Sequence, residues 1–311
     1  MRAIAVSHKD DFVEGFRNPL NEHVHLFESV VVDYDENSFD KVYDKIKSIH
    51  KDNNYILMSY CEGLLLGMKS LSTLNIPLVL RTGDCWSRLL QNGFKKIVDK
   101  HKPSIILVNN KCTIPAFKDY LDNYEAEYIW SKIPYDDTYI KDYGEQKIYD
   151  IGFSGKFSDY DDRRNINHHL TYRDDLNYKR FGFVPTIEEY AKNINRCKLS
   201  YSSMQNSGKL YYKSYFIGTT HRKNIEISAC GTGLITREWG DAEEMGYKDG
   251  ENCILFNDWH EFTEKLEYYL HNREELNKII HNGKKLVIDK YDYKTCTVEL
   301  CKEIEESLKN V

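Results

Sequence analysis

The sequence predicts an α/β protein made of two doubly wound halves. Three observations carry that expectation. Short unbroken apolar runs alternate with amphipathic helical stretches through the first half. A polar segment poor in aliphatic residues, YDDTYIKDYGEQK (Tyr135 to Lys147), then interrupts the chain, and a second α/β pattern begins at Ile148. Such apolar runs suit strands buried on both faces of a parallel sheet, and a polar stretch of this kind suits a domain boundary.

In the first half, Ala3 to Val6 and Ser29 to Val32 are the first two predicted strands. Phe39 to His50 has helical periodicity, with Phe39, Val42, Tyr43 and Ile46 on one face. Strands follow at YILMS (Tyr55 to Ser59), PLVL (Pro77 to Leu80), SIILV (Ser104 to Val108) and EYIW (Glu127 to Trp130). A helix between Ser87 and Lys100 separates PLVL from SIILV, and Ile133-Pro134 ends the last strand.

In the second half, IYDIGFSG is a strand running into a loop, and Thr186 with Glu189 caps a helix through Arg196. Lys198 to Ser202 is the next strand. NIEISACGTGLITREWGDAEE, from Asn224 to Glu244, reads as a short helix through Cys230, a stop at Gly231, a second flexible joint at Gly233 and a brief strand from Leu234 to Thr236. Asp258 with Glu261, and Asn272 with Glu275, are expected to cap two more helices. The tail after Tyr291 is helical, with Val298, Ile304 and Leu308 spaced for burial.

Composition narrows the function classes. A chain of 311 residues has room for two such domains, and 41% hydrophobic against 30% charged residues marks a folded rather than a disordered protein. No apolar run approaches the roughly 20 residues of a membrane span. The opening MRAIAVSHKDDF turns charged too early for a signal peptide, so the cytoplasm is the expected location. The net charge of −6 argues against generic nucleic-acid binding, though it leaves room for a local basic patch. None of the 8 cysteines forms a C-x-x-C pair and most sit in apolar segments, which implies a reducing compartment and no structural zinc.

Two α/β halves imply a cleft, with ligands beyond the carboxyl ends of the strands. Three elements of the second half converge on that edge: the loop Ser154-Gly155-Lys156, the helix opening at Arg163-Arg164, and the approach Gly218-Thr219-Thr220-His221-Arg222-Lys223. Helix N-terminal amides, hydroxyls and cationic side chains together make an anion cradle fit for a diphosphate. Glu226, one turn into the helix, can accept hydrogen bonds from two vicinal ribose hydroxyls. Ser154, Gly155, Lys156, Arg163, Thr219, Thr220, Arg222 and Glu226 are therefore the candidate donor-side residues. Asp84, in LVLRTGDCWS, and His8, in the loop expected after the first strand, are candidates on the acceptor side. Asp84 and Arg222 are the candidate catalytic residues.

Plainer readings stand beside these. Glu226 could be a solvated helix residue, Arg163 and Arg164 could decorate a helix start, and Asp84 could cap the following helix. Asp33-Tyr34-Asp35 looks like a metal-binding D-x-D, but a turn after a strand accounts for it better. His168 and His169 are adjacent on a helix and cannot share one face for a metal.

The stretch RKNIEISACGTGLITREWGDAEEMGYKDGENCILFNDWHEFTEKLEYYL, with Tyr291-Asp292-Tyr293 after it, resembles the carboxyl-terminal half of group-1 type GT-B glycosyltransferases. The resemblance runs from about Ile148 to Leu300 and is nearest to the short spore-coat-type branch. In the first half, IPLVLRTGDCWS, SIILVNNKCT and IWSKIPYDD fit the same pattern. It implies two Rossmann-like domains facing a central cleft, an acceptor domain over 1–142, a nucleotide-sugar donor domain over 143–290, and a final helix over 291–311 crossing back to the first. It also implies transfer of a sugar from a nucleotide diphosphate sugar, by default a UDP-sugar, to a hydroxyl, with retention and without a metal cofactor. A glycan, a small molecule and a hydroxylated base of viral DNA remain open as acceptors. One departure counts. Many relatives carry two glutamates separated by seven residues, and the second matches Glu226, but Gly218 stands at the first. A non-catalytic nucleotide-binding or coat protein of the same fold is the rival reading that this departure supports.

Overall fold

The computed structural model describes residues 3–8, 27–32, 39–59, 62–82, 92–155, 161–182, 184–203, 211–216 and 221–309. The chain divides into two compact units. One comprises Met1–Lys132, Tyr212–Ile217 and Tyr293–Val311, and the other Ile133–Tyr211 and Gly218–Asp292.

In the first unit, the strands β1 (Ala3–His8), β2 (Phe27–Val32), β3 (Tyr55–Ser59), β4 (Leu78–Arg81), β5 (Ile105–Val108) and β6 (Glu127–Trp130) form one sheet. Its order is β2-β1-β3-β4-β5-β6 and every pairing is parallel. Helices α1 (Phe39–Ile49), α2 (Glu62–Gly67), α3 (Asn92–His101) and α4 (Ile114–Tyr120) connect successive strands from β2 to β6. The unbroken apolar runs become strands because both sheet faces are covered: all four residues of β5 are buried. The C-terminal helix Tyr293–Leu308 belongs to this unit and sets Leu300 and Ile304 into the core with Ala3, Tyr55, Val79 and Ile105. Helices α2 and α4 carry too few turns for a periodicity to show in the sequence. His8 is the last residue of β1, not part of a following loop, because the parallel pairing with β2 continues through His8 and Val32. The side chain of His8 lies outside the described atoms.

The second unit runs β7 (Tyr149–Ser154), α5 (Asp161–Thr171), β8 (Tyr178–Phe181), α6 (Ile187–Asn195) and β9 (Cys197–Ser202). A short hairpin follows in the chain, β10 (Tyr211–Tyr212) with β11 (Tyr215–Phe216), and falls largely in the first unit. Then come α7 (Arg222–Ala229), β12 (Gly233–Arg237), β13 (Ile254–Phe256), α8 (Trp259–His271) and α9 (Arg273–Lys290). The sheet order is β13-β12-β9-β7-β8, again parallel throughout. Its core gathers Phe153, Leu199, Tyr201, Ile235, Phe256 and Phe262.

Several local expectations hold and others change. Thr186 caps α6 by accepting from the Glu189 amide, and Asp258 caps α8 by accepting from the Glu261 amide. Asn272 makes no side-chain cap. A single residue separates α8 from α9, and its side-chain amide donates back to Tyr268 O at 2.8 Å. Gly233 is not a flexible joint but the tightly packed first residue of β12, where a Cβ would stand 2.7 Å from Leu199 Cδ2. β8, with the sequence YKRF, was not expected as a strand. It is an edge strand whose Lys179 and Arg180 are exposed, so it lacks an apolar run. The polar stretch from Tyr135 to Lys147 is no free tether. It is fastened within the second unit by Tyr135 N to Tyr291 O at 3.0 Å, Asn195 Nδ2 to Asp142 at 2.8 Å and Lys147 Nζ to Gly231 O at 2.7 Å.

Candidate active site

The order of the second sheet places its switch point between β7 and β9. From β7 the chain steps to β8 on one side, then returns to β9 on the other. At the carboxyl ends of β7 and β9 stand Ser154 and the Ser202-Ser203 pair, and helices α5 and α7 follow those two strands. A crevice at that point is where open parallel sheets bind ligands, and the helix N-termini bring unsatisfied amides to it.

The side chains there are cationic. Lys223 donates from Nζ to Ser154 O and lies 4.8 Å above the Phe153 ring. Gly155 has φ +129°, a conformation that favours glycine, and a Cβ there would displace the end of the Lys223 side chain. Arg163, only 4% exposed, donates from Nε to Ser203 O at 2.5 Å and lies 5.7 Å from the Phe153 ring. His221 caps α7, its Nδ1 accepting from the Lys223 amide at 3.0 Å. Its Nε2 lies 3.3 Å from Arg163 Nη2.

That last geometry is frustrated. A neutral imidazole offers one N–H and one acceptor nitrogen, yet both neighbours of His221 are donors. Burial, then Lys223 and Arg163, hold its pKa well below the ordinary histidine value, so a second proton does not help. Burial and Arg163 also push Lys223 down to about 8, against an opposing pull from Glu226. With Arg222 and Lys223 both in the first turn of α7, cations crowd the positive end of a helix dipole. A helix N-terminus with cations in its first turn suits an anionic ligand.

One turn along α7, Glu226 is buried to 8% exposure and pairs with Arg222 Nε at 3.0 Å. Its carboxylate also adds to the burial that drives the Tyr190 hydroxyl well above its ordinary pKa, which places Tyr190 beside it. Behind the cluster, Asp162 takes Arg237 in a two-pronged pair, Nε at 2.6 Å and Nη2 at 3.0 Å, and accepts from Ser203 Oγ at 2.9 Å. Asp162 thus holds Ser203, whose carbonyl holds Arg163.

Of the residues singled out from sequence, the structure brings Ser154, Gly155, Arg163, Arg222 and Glu226 to this one edge. Arg164 turns away to pair with Asp161 on the helix surface. Lys156, Thr219, Thr220 and Asp84, like Asp33 and Asp35, lie outside the described residues. His221 and Lys223 lie in the segment expected to form the cradle but were not among its named donor-side residues, and roles for Ser203, Asp162 and Tyr190 were not anticipated. The spacing of Lys223 three residues ahead of Glu226 was the one available signal, since it puts both on one helix face. Among the described residues, no group of three or more His, Cys, Asp or Glu is arranged to hold a metal ion. No helix among the described residues is long and apolar enough to cross a membrane.

Residues 147–302 match the family model described as glycosyl transferase-like. Solved structures similar to the chain include HepE of Anabaena in complex with UDP, at TM-score 0.66 and 13% identity over 98% of this chain and 100% of that one. Sucrose-phosphate synthase of Thermosynechococcus elongatus gives 0.64 and 10% identity with 100% of both chains covered. A glycosyltransferase of Rickettsia africae gives 0.65 and 11% identity over 99% of each. A search of curated protein sequences finds no match to the chain. The family match spans half the chain and covers every described residue of the cation cluster and its carboxylate, and the fold is that of GT-B enzymes, so the chain belongs to the glycosyl transferase-like family.

Proposed function

We propose that the second unit binds a nucleotide diphosphate sugar, by default a UDP-sugar, and that this glycosyltransferase moves the sugar to an acceptor hydroxyl. The observation that carries the reading is the donor-against-donor contact of His221 and Arg163 beside Lys223, a cluster that a diphosphate would satisfy. Glu226, one turn further on, is spaced to accept from ribose hydroxyls. The complexes of HepE with UDP and with UDP-glucose support the choice of donor.

In the reaction, the bond from the anomeric carbon to the β-phosphate oxygen breaks and its electrons stay on that oxygen. The acceptor oxygen bonds to the carbon and gives up its proton, which the departing diphosphate oxygen accepts. Charge therefore grows on the diphosphate, and Arg163, Lys223, Arg222 and the N-terminus of α7 would stabilise it as it develops. A metal is not required for that task, and retention follows from the group-1 resemblance, as does the affinity to the spore-coat-type branch. A glycan, a small molecule or a hydroxylated DNA base would serve as acceptor, with Asp84 and His8 on that side.

The test is a thermal-shift screen of nucleotide sugars followed by assay of nucleoside diphosphate release. Saturation at a hundredfold over Kd stabilises by about 2.7 kcal/mol, which such a screen reads easily. Stabilisation by a UDP-sugar with release of UDP is expected. Binding without any release would favour the non-catalytic reading that Gly218 suggests.

A further inference from the structure

The opposite end of α7 is held as firmly as its N-terminus, and by the segment that opens the second unit. Lys147 Nζ donates to Gly231 O at 2.7 Å and to Thr232 Oγ1 at 2.9 Å. Asn195 Nδ2 donates to Cys230 O and to Asp142 Oδ1, the latter at 2.8 Å, while its own Oδ1 accepts from the Glu145 amide at 2.8 Å. Asp142 Oδ2 accepts from Lys284 at 2.9 Å. Gly231, at φ +65°, packs so closely that a Cβ would stand 2.6 Å from Asp142 Oδ2. The amides of Cys230, Thr232 and Gly231 donate to the carbonyls of Glu226, Ile227 and Ser228, and residues 142–147 with their ally on α6 hold the carbonyls of Cys230 and Gly231 just past the helix.

We propose that Lys147 is a positioning residue of the anion site: with Asn195 and Asp142 it fixes α7 from its C-terminal end and so sets where His221, Arg222, Lys223 and Glu226 stand at the other. The inference rests on the reading of that N-terminus as a nucleotide diphosphate site. Two features carry it. α7 has eight residues, about 12 Å at a rise of ~1.5 Å each, too short to absorb a shift at one end before the other moves. The donor is also a half-buried ammonium, where a neutral group could have satisfied the same oxygens. Burial presses it down to about 8, with Asp142 opposing and Lys284 reinforcing, while the neighbouring Cys197 and Cys230 thiols are pushed up and stay neutral. A cation at the negative end of the dipole complements an anion at the positive end. The chain entering the second unit therefore communicates with the donor site through one short helix.

The test compares wild-type protein with Lys147→Met, which keeps the side-chain length, and Asn195→Ala, which removes the cap without touching the charge. UDP affinity is measured by calorimetry, and amide hydrogen exchange is followed without ligand. Both variants should weaken UDP binding, Lys147→Met by about tenfold, and Lys147→Arg should recover part of the loss. Exchange should quicken at 222–230 and stay unchanged in β7 and β9. Wild-type affinity in Lys147→Met, or exchange rising uniformly through the unit, would overturn the proposal. Failure of the wild-type protein to bind UDP would instead count against the donor-site reading, and the exchange arm, which needs no ligand, would still decide the role of Lys147.

Discussion

Nε2 of His221 faces Nη2 of Arg163 at 3.3 Å, two side chains contributed 58 residues apart in the sequence. The imidazole cannot accept from Arg163 and from the Lys223 amide at the same time, so donors outnumber acceptors in this contact. An excess of donors next to a helix N-terminus is electrostatically costly until an anion arrives. Arg163 is anchored by Ser203, Ser203 by Asp162, and Asp162 by Arg237.

Glu226→Ala should weaken nucleotide binding without unfolding the protein. The carboxylate is buried one turn behind the cation cluster and spaced to accept from ribose hydroxyls, and each charge-assisted hydrogen bond contributes roughly 1.5–3 kcal/mol. A loss of affinity for UDP of tenfold or more is expected by calorimetry. Unchanged affinity would remove Glu226 from the site.

How much of this was legible in the sequence follows from the range of the interactions. The strands at the switch point alternate, with Ile151 and Phe153 of β7 and Leu199 and Tyr201 of β9 set between polar or small neighbours, and the Ala229-Cys230-Gly231 stop is a local signal, so β7, β9, α7 and β12 could be read directly. Glu226, Arg163 and Gly155 could be placed because each follows a strand in the chain. What sequence spacing could not report were pairings between distant segments: His221 with Arg163, Arg237 with Asp162 at 75 residues, and Lys147 with Gly231 at 84. β8 escaped notice for a different reason, since an edge strand with solvent on one side has no unbroken apolar run.

Lys223 makes nucleotide binding dependent on pH. Burial and Arg163 lower its pKa from 10.5 to about 8. In the free protein its charge penalises folding fully below pH 8, and that penalty fades as pH rises toward the unfolded value of 10.5. A diphosphate beside Nζ draws the pKa back up, so binding above pH 8 takes up a proton and affinity falls by up to about tenfold per pH unit. Calorimetry at a pH just above 8 in buffers of different ionisation heat should show that uptake in the wild type and its loss in Lys223→Met. Equal heats in all buffers would mean that Nζ does not meet the phosphates.

Chelation should leave turnover largely intact. Arg163, Lys223, Arg222 and the amides of α7 already supply the positive charge that a divalent ion would otherwise bring to a departing diphosphate. Activity measured after treatment with EDTA should match the untreated enzyme. Loss of activity restored by magnesium or manganese would redirect attention to Asp33 and Asp35.

Arg222 joins the carboxylate to the cation cluster, because its Nε pairs with Glu226 Oε1 at 3.0 Å while its position in the first turn of α7 puts it with the cations. A guanidinium can hold a carboxylate on one edge and a phosphate on another, whereas an ammonium concentrates its charge at one point. Arg222→Lys keeps the charge and the helix but loses the ability to serve both partners in fixed geometry. Ground-state binding should therefore fall modestly, since Lys223 and Arg163 still receive the phosphates. Turnover should fall further, because charge on the leaving group grows toward the transition state and a displaced cation stabilises it less. Steady-state kinetics on the donor identified by the nucleotide-sugar screen should show kcat reduced more than KM is raised. A higher KM with unchanged kcat would assign Arg222 to substrate binding alone, and Arg163 with Lys223 would then carry the leaving-group charge.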